Sequence, residues 1–93
     1  MKIQRVPGNN KKHKVFVYAL STCAWCKKTK QFLKDKDVEY EYVDVDLLSK
    51  EDLEKVKAEI ASRGAQLLFP LIVIDDKVII TGFREDQISG ALA

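Results

Sequence analysis

The sequence predicts one α/β domain with a mixed central sheet flanked by helices, in the order (β)-β-α-β-α-β-β-α. Three observations carry this. Apolar, β-branched runs alternate along the chain with segments of helical period. The front half is built of strand–helix–strand units, which demand a parallel pair. The last two apolar runs are separated by Asp75-Asp76, a turn short enough for an antiparallel hairpin. A chain of 93 residues is one domain, burying roughly 60–65% of its unfolded surface in a single modest core.

The N-terminal stretch Lys2–Val6 alternates weakly and is followed by the turn signal Pro7-Gly8-Asn9-Asn10. Residues 1–13 therefore read as an edge strand hairpinned onto Lys14–Leu20, or as a basic extension. Residues 14–93 are the domain proper. His13, the single histidine, sits among lysines and reads as a solvated surface residue. Val15–Leu20 is almost wholly apolar, as suits a strand buried on both faces. Ser21 or Thr22 is placed to cap a helix that starts near Cys23 and ends near Lys36. Glu39–Asp46 alternates and is rich in Tyr and Val, a second strand. Ser49 with Asp52 resembles a capping box. Leu53, Val56 and Ile60 follow at helical spacing, and Gly64 stands where a C-terminal cap belongs, so Lys50–Arg63 reads as a helix. Pro70–Ile74 and Lys77–Thr81 are the hairpin strands. Gly82 breaks the pattern, and Arg84–Leu92 is a short last helix.

Composition narrows the function. Hydrophobic residues at 46% and charged residues at 32% fit a soluble globular chain. A net charge of +2 gives no ground for nucleic-acid or membrane binding. No apolar run reaches the ~18 residues of a membrane span, and Met1–Pro7 lacks the apolar core of a secretory signal. The expected compartment is a reducing cytoplasm, where disulfides are not a structural resource.

The chemistry is concentrated in Cys23-Ala24-Trp25-Cys26, which holds both cysteines of the chain. Two thiols three apart at a strand-to-helix junction form a redox arrangement. At the first turn of a helix, free N–H groups and the macrodipole favour a thiolate. Lys27 adds positive charge, and such settings move a cysteine from ~8.5 to ~3.5–7.5. Cys26, one turn deeper, points inward with Thr29 and Phe32. A structural disulfide closing so short a loop would contribute only about 2 kcal/mol. A zinc site lacks ligands, since zinc wants four and the chain has only Cys23, Cys26 and His13 before carboxylates are enlisted.

Taken together, the strand ending in Tyr18-Ala19-Leu20-Ser21-Thr22, the Cys23–Cys26 motif, Phe69-Pro70 before a buried strand, and Thr81-Gly82-Phe83-Arg84-Glu85-Asp86 before the last helix resemble the glutaredoxin-type members of the thioredoxin superfamily. The resemblance covers residues 14–92. It implies a thioredoxin-like βαβαββα fold and thiol–disulfide exchange. It also implies a cis bond before Pro70 that leaves the Phe69 backbone free to pair with an extended substrate. Trp25, Phe69, Gly82 and Phe83 would then line a docking groove, with Arg84 beside it. Phe83 is equally explained by core packing, and Arg84 by solvation.

Within that family, Leu20 stands three positions before Cys23, where glutathione-using glutaredoxins often carry a cation, and Thr81-Gly82 replaces a Gly-Gly pair. Thr81–Asp86 is closer to the Ser-Gly-Phe-Arg-Pro-Asp pattern of NrdH-type redoxins, which serve ribonucleotide reductase and accept electrons from a flavin reductase; Glu85 replaces that pattern's proline. The expectation is a monomeric dithiol–disulfide oxidoreductase without a tightly bound cofactor, acting on disulfide-containing proteins. Its electrons would come from a thioredoxin-reductase-type or ferredoxin-dependent reductase. Two alternatives stand beside it: a glutathione-dependent glutaredoxin, and a dimeric carrier holding an iron–sulfur cluster through the first cysteine and glutathione.

Overall fold

The computed structural model describes Met1–Ala93. The strands are β1 (Gln4–Val6), β2 (Val15–Ala19), β3 (Tyr40–Asp44), β4 (Leu71–Ile74) and β5 (Val78–Thr81). The helices are α1 (Ala24–Asp35), α2 (Lys50–Ser62) and α3 (Glu85–Leu92), with a 3-10 turn at Val45–Leu47. The strands form one mixed sheet in the order β1-β3-β2-β4-β5, the thioredoxin-like arrangement.

β2 lies at the centre, parallel to β3 and antiparallel to β4. Its alternate residues feed two layers. Val15, Val17 and Ala19 pack with Ile72, Ile74, Cys26, Leu33, Ile88 and Leu92, on the side of α1 and α3. Tyr18 packs with Leu71, Val73, Val43, Val56 and Ile60, on the side of α2. Because both faces are covered, β2 and β4 are unbroken apolar runs rather than alternating ones.

The N-terminal strand forms, but not on the expected partner. β1 pairs antiparallel with β3, Arg5 opposite Glu41. The reason is topological: β2 already has a neighbour on each side, so the N-terminal segment can add only at an edge of the sheet, and it takes that of β3. Gly8 makes the approach possible, since a Cβ there would lie 2.6 Å from the Asp37 carbonyl oxygen and 2.7 Å from Glu39 N. Asn9 reaches Asp37 at 2.8 Å, and Arg5 reaches Glu39 at 3.1 Å.

His13 also departs from expectation. It is not a solvated bystander: its Nδ1 lies 2.6 Å from Asp75 Oδ2, while Asp75 Oδ1 accepts the Lys14 N–H at 2.8 Å. This ties the start of β2 to the β4–β5 turn. In that turn Asp75 and Asp76 both have positive φ, 55° and 57°, the mirror-image turn that suits hairpin twist.

α2 is capped at both ends. Ser49 Oγ accepts the Asp52 N–H at 3.2 Å, but the return half of the capping box is absent, because the Asp52 carboxylate instead faces the Met1 amine at 3.5 Å. At the far end Gly64 has φ 73°. Its N–H donates to Ala61 O, and that of Ala65 donates to Ile60 O, the paired bonds of a Schellman motif.

Candidate active site

Strand pairing puts the functional segments at one end of the sheet. Ala19 is opposite Asp44, and Tyr18 is opposite Leu71. The loop Leu20–Thr22, the turn Val45–Leu47 and Phe69-Pro70 therefore all leave the sheet at that end. His13 and Asp75 lie at the other, beyond the Val15–Ile74 pair. Cys23, Cys26 and His13 consequently do not converge.

The cap of α1 is Cys23, not Ser21 or Thr22. Cys23 has extended backbone angles, its Sγ accepts the Cys26 N–H at 3.2 Å, and its carbonyl accepts the Lys27 N–H at 3.1 Å. Sulfur thus takes the place of the usual capping oxygen. Ser21 is unavailable because Asp46 holds it. Its N–H donates to Asp46 Oδ1 at 2.8 Å and its hydroxyl to Oδ2 at 2.5 Å. These two bonds hold the Asp46 carboxyl below the usual carboxylate range. The sequence places Asp46 only at the end of a strand. Its partner is 25 residues away, and no local pattern links the two. The strand predicted to reach Asp46 stops at Asp44, where β2 runs out of pairing residues, and the chain turns to meet Ser21.

The two sulfurs live in different environments. Cys23 is half-buried and Cys26 has no exposed surface; both are free thiols. Burial pushes the Cys26 thiol up to about 12, reinforced by its hydrogen bond with Cys23. The Leu20 backbone and the Lys30 charge act weakly in the opposite direction.

Beside the thiols lies a groove of about 310 Å³ lined by Trp25, Phe69, Pro70, Gly82, Phe83 and Arg84. Six of the sequence-predicted docking residues are thus brought together. Lys27 is not among them; its side chain is exposed and forms no ion pair. Lys28 instead places a cation at the groove wall, its Nζ 4.5 Å above the Trp25 ring. Trp25 is 56% exposed and stacks obliquely on Phe83 at 6.1 Å; Phe83 in turn meets Phe32 edge-on at 5.7 Å. Phe83 is therefore both groove wall and core contact.

The Phe69–Pro70 bond is cis, as the resemblance implied. The Gly82 N–H extends the β4–β5 ladder to Pro70 O at 2.8 Å, whereas Phe69 N–H and C=O bond to nothing within the chain. Gly82 has φ 84° with nothing within 4 Å of where a Cβ would stand. The glycine is thus required by its backbone angle rather than by crowding, and it leaves the groove floor open. Arg84 donates Nε–H to Thr81 O at 3.0 Å, fixing the entry to α3. No helix is long and apolar enough to cross a membrane.

Comparison with known proteins agrees with this geometry. A family model described as glutaredoxin matches residues 15–79. The glutaredoxin of Methanosarcina mazei Go1 is 38% identical and superposes with a TM-score of 0.88 over 100% of this chain and 89% of that one. The methanoredoxin of Methanosarcina acetivorans is 42% identical, with a TM-score of 0.80 over 86% and 84% of the two chains. The NrdH-redoxin of Escherichia coli, at 21% identity, shares the fold, with a TM-score of 0.66 over 83% and 92%. With a capping sulfur, a sealed second thiol and an aromatic groove at one end of a thioredoxin-like sheet, the chain belongs to the glutaredoxin family, whose chemistry is thiol–disulfide exchange.

Proposed function

We propose that this chain reduces protein disulfides, with Cys23 as the attacking thiol and Cys26 as the resolving thiol. The observation that carries this is the pairing of a half-exposed sulfur at a helix N-terminus with a fully sealed one in the same turn. The Cys23 thiolate attacks one sulfur of the substrate disulfide. The other substrate sulfur leaves with the electron pair of the broken bond and takes up a proton. Cys26 then gives up its proton and attacks Cys23 Sγ, releasing the second substrate sulfur, which is protonated in turn. Two electrons and two protons reach the substrate, and the chain ends as the Cys23–Cys26 disulfide.

Three features favour a protein over glutathione as substrate. Leu20 stands where a glutathione carboxylate would want a cation. The groove wall is aromatic, with Trp25 and Phe83. The unpaired Phe69 backbone offers an edge to an extended chain. The Thr81–Asp86 segment keeps ribonucleotide reductase among the targets and a thioredoxin-reductase-type or ferredoxin-dependent reductase as the donor.

The test is a comparison of donors. Oxidised protein is mixed with glutathione alone or with NADPH and a thioredoxin reductase, and reduction of insulin disulfides is followed. Turnover is expected with the reductase. Rapid turnover with glutathione alone would establish the glutathione-dependent activity instead. Cys26→Ser is expected to accumulate a mixed disulfide through Cys23, and Cys23→Ser to be inactive.

A further inference from the structure

We infer that Asp46 is a positioning residue for the reaction: by holding Ser21 it fixes the loop that sets Cys23 Sγ on the amino end of α1. The inference rests on Cys23 being the attacking thiol.

The loop needs an anchor. β2 has its last sheet partner at Ala19, and the chain must then cross to α1 through Leu20, Ser21 and Thr22. Asp46 makes both side-chain hydrogen bonds that tie these residues to the rest of the fold. Ser21 offers a backbone N–H and a hydroxyl, and the carboxylate takes one on each oxygen, fixing Ser21 in orientation as well as position. The next link is the Cys23 N–H, which donates to Leu20 O at 3.2 Å and closes the turn. The last is the Cys26 N–H on Cys23 Sγ at 3.2 Å. Displacing Ser21 therefore displaces the sulfur from the helix terminus.

Asp46 is itself held. Its neighbour Val45 is buried, and the Leu48 N–H closes the 3-10 turn on Val45 O at 3.3 Å. Asp44, where β3 ends, pairs with Lys30 of α1 at 3.0 Å, and the Lys30 ammonium also lies 3.9 Å above the Tyr42 ring. The end of β3 thus grips α1 twice, at Lys30 within the helix and at Ser21 just before it. An electrostatic role for Asp46 points the other way, since a carboxylate opposes a nearby thiolate. The benefit of the residue is geometric.

The test uses the full reduced chain and the pH dependence of iodoacetamide reaction at Cys23, read by mass spectrometry. In Asp46→Ala alkylation near neutral pH is expected to slow about tenfold. Asp46→Asn, which keeps an acceptor for the Ser21 N–H, should stay close to the wild type. A lowered melting temperature in Asp46→Ala with an unmoved alkylation profile overturns the inference, because the residue then only stabilises the fold. Faster alkylation in both Asp46→Ala and Asp46→Asn overturns it too, because relief of the carboxylate's charge, not loss of its hold on Ser21, is then what the thiol senses. Should Asp46→Ala not fold, Ser21→Ala removes the hydroxyl bond alone; a smaller slowing of alkylation supports the clamp, and none overturns it. These outcomes separate from failure of the functional reading, which shows in the unmutated chain as a Cys23 that alkylates no faster than free cysteine.

Discussion

The backbone amide of Cys26 donates to the sulfur of Cys23 at 3.2 Å, while the sulfur of Cys26 is closed off from solvent. One residue thus supports the outer thiol through its main chain and withholds its own side chain. The same helical turn that leaves one sulfur half-exposed buries the other among Leu33 and Ile88.

Alkylation should therefore discriminate sharply. A thiol held up at about 12 is ionised in roughly one molecule in ten thousand at pH 8. Limited iodoacetamide at that pH is expected to label Cys23 only, with Cys26 labelled after denaturation. Equal labelling of both in the native protein contradicts the sealed environment.

The same burial predicts an alkaline loss of stability. Below its ordinary 9.0 the Cys26 thiol is neutral in both folded and unfolded chains and contributes no pH dependence. From 9 toward about 12 the unfolded chain ionises first, so stability falls as pH rises. Urea midpoints of the reduced protein should decline across this interval, and those of Cys26→Ala should decline less. Tyr40, also held up at about 12 by burial, adds a parallel loss that the Cys26→Ala comparison leaves unchanged. Parallel curves for the two proteins would count against a raised Cys26.

Trp25→Ala removes the exposed wall of the groove and its contacts with Phe83 and Lys28. The expected outcome is a five- to tenfold lower kcat/KM toward insulin disulfides, about 1 kcal/mol. Turnover of a small disulfide such as hydroxyethyl disulfide, and the alkylation rate of Cys23, should be little changed. An equal loss on both substrates assigns Trp25 to the geometry of the thiol turn rather than to docking.

The His13–Asp75 bond holds His13 above its ordinary 6.5 and Asp75 below its ordinary 3.8. The histidine's contribution to stability is complete below 6.5 and is lost as pH rises through its raised value. The aspartate's is complete above 3.8 and is lost as pH falls through its lowered value. An NMR titration of the His13 ring should give a midpoint above 6.5, and Asp75→Asn should bring it down. A midpoint unmoved by that substitution sets the pairing aside.

Gly8→Ala drives a methyl into the backbone of Asp37–Glu39. A destabilisation of about 1–3 kcal/mol is expected, with loss of amide protection in Gln4–Val6 and disulfide reduction largely retained. Unchanged protection of β1 would show that the segment tolerates more room than its backbone approach indicates.

What could be read from the residues alone was whatever depends on near neighbours. Helix spacing, the Gly64 cap, the hairpin turn at Asp75-Asp76 and the two cysteines within one turn are all properties of segments a dozen residues long or less. For the same reason the buried faces of β2 and β4 were visible as unbroken apolar runs. The choices left to the tertiary structure involve partners far apart in the chain. β1 goes to an edge of the sheet, at β3, because β2 is already flanked on both sides. His13 meets an aspartate 62 positions on, and Asp46 takes Ser21 from across the end of the sheet. Sequence patterning reports which face of an element is apolar. Which polar side chain meets which is decided once packing has set the distances, because a hydrogen bond requires its donor and acceptor to come within about 3 Å.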